Sequence, residues 1–465
     1  MKKKQLSDSE ELEVALRLLS GRIATMRWND FSLNAQSATQ RIFFDDIGAI
    51  LAGSLEEELC ALRAAWKDDR PARSATLLTR GFPRADVLRA CLHNGTSGAG
   101  PEIAEGYRFA TAHAGIYTLP VVLALGESEQ ASGSAVLTAM AAGYEAAACC
   151  STAFRLPPHV HPHGPWGLVG ASVAAAHLQG GDVNRIFSAL TLALSLLPGA
   201  AWDVAMAGGS IRNAWTGFGA LAGALVPSLA NAGYTTPMIG LVQALRDVLQ
   251  TEWEPERLAR PLHEGLAVEN NYHKRFSCVG FIPPVIEALQ QALSGTAVDP
   301  TKVQSVVVEV PSAAERLSNQ QPATAVAARF SVPYCVAVCL TTGTVAPASF
   351  TRAVLEDEVM RDLCRRVSVV QGDDLPHPYS AQRSARVHVT LADGTRHQGY
   401  CANARGDFSD PLSDAELTQK FIRMTAPIFG AQANAAASVT WDFVREKSVA
   451  EFIARLADCD RDRTR

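Results

Sequence analysis

The sequence predicts a mainly α fold, in which a large all-helical domain carries a smaller α+β module, and three observations predict it. First, residues 113–232 are dominated by Ala, Gly and Leu, in runs such as SGSAVLTAMAAGYEAAACC, GASVAAAHLQGG and GFGALAGALVPSLANAGY. Small residues at i, i+3 and i+4 let helix axes approach closely, so this reads as a compact helical core. Second, the apolar period changes near Pro300, where KVQSVVVEV sets Val306, Val308 and Val310 on one strand face. Third, helical spacing resumes beyond Leu412 with SDAELTQKFIRM, where Ser413 and Glu416 form a capping box.

Taken in order, the pattern is helical from Ser9 to about Gly53. It closes on RIFFDDIGAILAGS, whose Ile42, Phe43, Ile47, Ile50 and Leu51 make one stripe that Gly53 stops. A further helix is expected near Leu55 to Trp66, then a polar connection through Asp68 to Arg73. PRADVLRACLHNGTSGAG follows, with Asn94 and Gly95 expected to end its helix and a Gly-rich loop continuing to about Gly106. In the α+β module, RVSVV and ARVHVTL repeat the strand pattern. Val387, Val389 and Leu391 alternate there with His388 and Thr390, and Asp393-Gly394 offers a hairpin turn. VPYCVAVCLTTG and EDEVMRDLCRRV are the helices between the strands. The expected division is 1–276 helical, 277–405 α+β, and 406–465 returning to the helical domain.

Composition narrows the function. At 465 residues the chain has ample core, and a net charge of -5 gives no electrostatic case for nucleic acid or an anionic membrane. Apolar runs are broken by Gly and Pro before they reach membrane-spanning length. The start, MKKKQLSDSEELEVALRLL, turns into an acidic amphipathic helix rather than a signal sequence. The ten cysteines follow no ligand or disulfide spacing, which suits free thiols in a reducing cytoplasm. A cytoplasmic protein is expected. There is no P-loop, and AMAGGSIRNAW lacks the strand and spacing of a dinucleotide fingerprint, so cofactor-free chemistry is expected.

The most informative stretch is His159 to Gly170, HVHPHGPWGLVG. Alternation puts His159, His161 and His163 on one side of an extended segment stiffened by Pro157, Pro158, Pro162 and Pro165. A helix starting after Pro165 would present backbone N–H groups and a positive dipole end beside the histidines, a place suited to a small carboxylate. The same triplet also reads as a polar loop, or as a zinc site. Zinc would want a further carboxylate or thiolate at ligand spacing, and none lies nearby, so no metal is expected.

Other polar residues stand out against apolar surroundings. His113 opens the apolar run TAHAGIYTLPVVLALGE, and Glu102 and Glu105 lie in the Gly-rich loop. Asp203, Arg212 and Trp215 lie in AWDVAMAGGSIRNAW, and Tyr272, His273 and Lys274 in ENNYHKRFSCVGF. Each has a plain alternative. A lone Arg among small apolar residues more often pairs with a buried carboxylate than with a ligand. A single His is more often an ordinary hydrogen-bonded residue than a catalyst. Tyr272 to Arg275 also reads as a solvated basic turn.

Matching stretches occur in order along nearly the whole chain. They are FFDDIGAILAGS, HNGTSG, His113-Ala114-Gly115 with LPVVLALGE, and SGSAVLTAMAAGYE. HPHGPWGLVGASVAAAHLQG, IRNAWTGFGALAG, AGYTTP, YHKRFSC, ARFSVPYCVA and GDFSDPLSDAELTQKF follow. As an ordered set they resemble the MmgE/PrpD family, which includes 2-methylcitrate dehydratase, cis-aconitate decarboxylase and iminodisuccinate epimerase. The resemblance implies a helical domain built from both chain ends, a smaller α+β lid, usually a homodimer, and an active site between domain and lid. It puts the family's active-site histidines on His113 and His161, its cation after a glycine pair on Arg212, and its YxKxY lysine on Lys274, with Tyr272 the aromatic before it. Glu102, His163, Tyr272 and Trp215 are then the expected substrate-binding residues.

The departures are specific. The family's His-x-x-Asp-x-Asp-Asp-Thr run reads here Ala99, Glu102, Ala104, Glu105 and Gly106, so its His and Thr are gone. A family histidine expected about five positions after Cys278 is missing from Val279-Gly280-Phe281-Ile282-Pro283-Pro284, and Gly280 stands where an arginine is expected. The resemblance thus implies a lyase of dehydratase or decarboxylase type on a small, partly apolar carboxylate. RNAW and the HPHG form point instead to an epimerase, and the lost polar groups to a scaffold that kept the fold without the chemistry.

Overall fold

The computed structural model describes residues 7–66, 73–259, 265–294, 298–376 and 383–460. The expected polar connection from Asp68 therefore lies largely outside the described residues. The fold is mainly α with a smaller α+β region, and its buried side chains form two clusters.

The larger cluster draws on both ends of the chain. α1 (Asp8–Ala24) starts at Ser7, which forms a capping box with Glu10. α2 (Leu33–Gly53) starts at Ser32, whose hydroxyl accepts the Ala35 N–H, and buries Ile42, Phe43, Phe44, Ile47, Ile50 and Leu51. α3 (Glu57–Ala65) and α4 (Val87–Ala99) follow, then α5 (Ala114–Ser128), α6 (Gly133–Ala153), α7 (His163–Leu178), α8 (Val183–Ser195), the short α9 (Trp202–Met206) and α10 (Ile211–Asn231). Against α2 packs α11 (Asp414–Phe429), opened by the Ser413/Glu416 capping box. Phe44 stacks between Phe421 and Trp441, at 4.7 and 4.0 Å between ring centroids, and Lys420 pairs with the buried Asp45 at 2.6 Å.

Glycine, and the lack of a side chain it brings, sets how closely these helices cross. Asn94 and Gly95 do not end α4, which runs on to Ala99. The Asn94 side chain instead holds the preceding segment, accepting the Leu78 N–H and donating to the Thr76 carbonyl. Gly95 is a crossing point, since a Cβ there would lie 2.8 Å from the Cα of Gly217 on α10. Gly53 likewise touches α4, where a Cβ would meet the Ser97 carbonyl at 2.0 Å. On the other side of α10, Gly219 and Gly223 meet Gly167 and Ala171 of α7. The expected close approach of helix axes is thus realised through bare backbone at Gly53, Gly95, Gly167, Gly217, Gly219 and Gly223.

The smaller cluster surrounds a four-stranded sheet. β1 (Val303–Val310), β2 (Val367–Gln371), β3 (Ala385–Leu391) and β4 (Arg396–Cys401) lie in the order β4-β3-β1-β2. Only the β1–β2 pair is parallel, as its long helical crossover requires. Val306, Val308, Val310, Val387 and Val389 are buried and Gly394 turns the β3–β4 hairpin at φ +85°, as the alternation predicted. Arg329 bonds to Glu56 at 2.9 Å and the Ser277 hydroxyl donates to the Pro101 carbonyl, tying this region to the helical one. None of the cysteines forms a disulfide. No described helix is long and apolar enough to cross a membrane.

Candidate active site

A cavity of about 430 Å³, counted with its open mouth, lies where the two buried clusters meet. Glu102, His113, His161, Arg212, Tyr272 and Arg383 line it, together with an apolar wall of Pro162, Trp202, Val279 and Phe281. Five of the eight residues expected from sequence share this space. His163, Trp215 and Lys274 stand one layer behind it.

His113 occupies the position before α5, yet its ring does not cap that helix. Glu105 does so instead, its carboxylate accepting the Gly115 N–H at 2.8 Å. The ring turns away from the helix, and its Nδ1 lies 2.6 Å from the Glu105 carbonyl. A carbonyl only accepts, so Nδ1 carries the proton and Nε2 keeps its lone pair. Burial, with Lys274 and His163 nearby, holds the His113 pKa well below 6.5.

His161 has the opposite tautomer. Its segment pairs with residues 200–202, through His161 N–H to Ala200 and Trp202 N–H to His159. Its ring lies against Trp202 and Trp215, at 4.3 and 5.1 Å between centroids. Nδ1 accepts the backbone N–H of His163 at 3.2 Å, so the neutral ring carries its proton on Nε2. That Nε2 is buried and meets no protein acceptor among the described residues. Burial and the neighbouring imidazoles keep this ring neutral as well.

The expected extended triplet is broken by a turn at 158–159. His159 is exposed, whereas His161 and His163 are buried and His163 already belongs to α7. The helix end also offers less to an anion than expected. The His163 N–H goes to His161, Pro165 has none, and the Trp166 N–H returns to the Pro162 carbonyl.

Arg212, in the first turn of α10, is held through both terminal nitrogens of its guanidinium. It donates to the Ala99 carbonyl at 2.9 Å and to His163 Nε2 at 2.7 Å, and it pairs with Glu102. With its Nε2 accepting, His163 must donate from Nδ1 to the Tyr117 oxygen, 2.8 Å away, so it is neutral and serves to position Arg212. Burial lowers the Arg212 pKa to about 9, which leaves it charged at neutrality.

Glu102 binds two cations at once. One carboxylate oxygen meets Arg212 and the other accepts from Lys274 at 3.0 Å; Lys274 also reaches the Glu102 carbonyl at 3.0 Å. Glu102 has φ +53°, a left-handed conformation rare for a side-chain-bearing residue, and these bonds hold it there. Lys274, its pKa pulled down to about 8 by burial, is therefore a partner of Glu102 rather than part of the cavity wall. Of the suspected basic turn only Arg275 is exposed, while His273 and Lys274 are buried.

Two features were not foreseen. Arg383 enters from two residues before β3, its backbone N–H bonded to Asn403 at 2.9 Å, and its guanidinium lies 4.8 Å over the Tyr272 ring and 5.9 Å from Phe281. Nothing in QRSARVHV distinguishes it from a surface arginine. Behind His113, Asp46 and Glu105 are buried around Gly115, where a Cβ would meet them at 2.1 and 2.7 Å. Burial raises both pKa values, helped for Asp46 by Glu105 and Asp45 and for Glu105 by Asp45; that of Glu105 is pushed up to about 8, so Glu105 holds a proton at neutrality. Among the described residues no three His, Cys, Asp or Glu side chains are grouped to hold a metal ion.

Comparison with known proteins agrees with this architecture. The family model for the MmgE/PrpD N-terminal domain matches residues 17–241, and that for the MmgE/PrpD C-terminal domain matches residues 276–442. No curated protein matches the chain. The chain belongs to the MmgE/PrpD family, whose members are generally enzymes of dehydratase and lyase type.

Proposed function

We propose that this protein is a lyase of dehydratase or decarboxylase type, acting by proton transfer next to the carboxylate of a small, partly apolar organic acid. The observation that carries this reading is the pair of opposite tautomers on one cavity. His113 presents a lone pair and His161 presents an N–H. In a dehydration, His113 Nε2 takes the proton from the carbon beside the carboxylate while His161 Nε2–H protonates the hydroxyl that leaves the next carbon as water; in a decarboxylation, the carboxylate leaves as CO2 and His161 Nε2–H protonates the carbanion left behind. An anionic substrate beside His113 raises the depressed pKa of that ring and makes it a stronger base. Arg212, with Glu102 and Lys274, fixes one wall, and Tyr272 supplies a further donor.

The two buried clusters support reading residues 277–405 as a lid over a helical body formed by 1–276 and 406–465. A homodimer is part of the same reading. Ile211, Phe218 and Leu225 are spaced seven apart and exposed on α10, whose opposite face carries Arg212, and a second copy of the chain is their proposed cover. The free thiols support a reducing, cytoplasmic setting.

The test is to incubate the protein with 2- and 3-hydroxy acids in D2O and follow them by proton NMR. A lyase gives vinylic protons. Deuterium entering the carbon beside the carboxylate, with configuration lost and no alkene formed, identifies an epimerase. No exchange across the panel identifies a scaffold. His113→Asn and His161→Asn should each lower turnover about 10²–10⁴-fold.

A further inference from the structure

Gly280 leaves a bare stretch of backbone in the cavity wall, beside two recognition groups. A Cβ there would lie 3.1 Å from the Tyr272 hydroxyl and 3.4 Å from Arg383 Nη1. The guanidinium is oriented by its 4.8 Å stacking over Tyr272 and by an Nη2 bond to the Arg108 carbonyl at 3.3 Å. Elsewhere on the wall, both carboxylate oxygens of the buried Glu102 are engaged, one with Arg212 and one with Lys274. Trp202, Val279 and Phe281 add apolar surface to the same cavity wall.

We propose that the cavity is a monocarboxylate site, in which Arg383 and Tyr272 receive the single carboxylate beside Gly280 and Glu102 excludes a second one. This rests on reading the cavity as the carboxylate site of the proposed lyase. A guanidinium fork matches a carboxylate in a two-pronged contact, and the tyrosine hydroxyl adds a neutral donor to the same group. A second carboxylate elsewhere on the ligand would meet cations already paired, since Glu102 binds both Arg212 and Lys274. A two-pronged contact with Arg212 would have to displace Glu102, His163 or the Ala99 carbonyl from its terminal nitrogens, and a contact with Lys274 would have to displace Glu102. The apolar part of the wall favours hydrocarbon instead. Substrate choice is then a matter of cations already occupied on one side as much as attraction on the other.

The test is equilibrium binding by isothermal titration near pH 7.5 with three unreactive probes: hexanoate, adipate and tricarballylate. Hexanoate and adipate have the same six-carbon chain and differ by one terminal carboxylate. Hexanoate should bind at least tenfold more tightly than adipate or tricarballylate. Arg383→Gln should weaken hexanoate at least tenfold, and Arg383→Lys less so. Glu102→Gln should improve adipate relative to hexanoate by at least tenfold, because a cation is uncovered. Adipate or tricarballylate binding as tightly as hexanoate overturns the proposal, as does an Arg383→Gln variant that binds hexanoate like the parent, or the absence of binding by all three. Turnover plays no part in these measurements. A site that binds hexanoate as predicted but exchanges no proton refutes the lyase reading alone, and a lyase preferring tricarballylate refutes the monocarboxylate site alone.

Discussion

Arg212 donates to Nε2 of His163 across 2.7 Å, and this one bond decides the state of a ring that looked from sequence like a ligand group. His163 passes its own proton toward Tyr117, sits in the first turn of α7, and donates its backbone N–H to His161. The guanidinium is thereby coupled through His163 to the tautomer of His161, the proposed acid.

That coupling predicts the effect of removing the guanidinium. Arg212→Ala leaves one buried Glu102 oxygen and His163 Nε2 without their donor, and it should cost about 3–5 kcal/mol of stability in chemical denaturation. Arg212→Lys keeps the charge but cannot reach Ala99, His163 and Glu102 together. It should fold, with kcat/KM reduced more than tenfold on whatever acid the D2O assay identifies. Parent-like kcat/KM in Arg212→Lys would show that the bond to His163 is irrelevant to the chemistry.

The buried acid pair predicts how stability varies with pH. Glu105 titrates at about 8 in the folded chain against 4.5 for an unperturbed glutamate, so between these values the folded chain holds a proton that the unfolded chain has released. Stability therefore falls as pH rises through this window. Glu105→Gln carries no such proton and should lose less stability than the parent between about pH 5 and pH 8. The buried histidines act in the other direction. His93 and His177 titrate at about 4 rather than 6.5, so their neutral burial costs stability as pH falls from 6.5 toward 4. Urea midpoints measured across the range test both limbs.

Two glycines in helices should respond oppositely to alanine. A Cβ at Gly217 would lie 2.3 Å from both the Leu92 carbonyl and the Thr96 hydroxyl, so Gly217→Ala must push α10 off α4 and should cost about 1–3 kcal/mol. Gly21 in α1 has nothing within 4 Å of that position, and Gly21→Ala should gain about 0.5–1 kcal/mol from helix propensity. Melting temperatures moving the same way in both variants would contradict the packing described for α10.

The exposed stripe on α10 predicts an oligomer. Light scattering after size exclusion should give twice the chain mass for the parent and the monomer mass for Phe218→Asp. A monomeric parent would leave the Ile211–Phe218–Leu225 stripe without the proposed cover.

Periodicity carried the fold. The valine alternation at 306, 308 and 310 and the Ser413 capping box are local signals, and local signals survive folding unchanged. The misreading at Asn94-Gly95 has a physical cause, because a glycine that ends a helix and a glycine that admits a neighbouring helix look alike without the neighbour. The site was half legible. His113, His161 and Arg212 stood out as polar residues in apolar runs, and burial is what that contrast encodes. Arg383 could not be seen, because its place beside Gly280 depends on packing between segments about a hundred positions apart. The division of labour among the histidines was equally invisible, since it depends on which backbone group each ring nitrogen meets.

The central claim is that His113 and His161 face one cavity as neutral rings of opposite tautomer. Nitrogen-15 spectra of histidine-labelled protein at about pH 7, assigned with His113→Asn and His161→Asn, test it most directly. The account predicts a protonated Nδ1 with a bare Nε2 in His113, and a bare Nδ1 with a protonated Nε2 in His161. The same tautomer on both rings, or either ring doubly protonated at that pH, would contradict it.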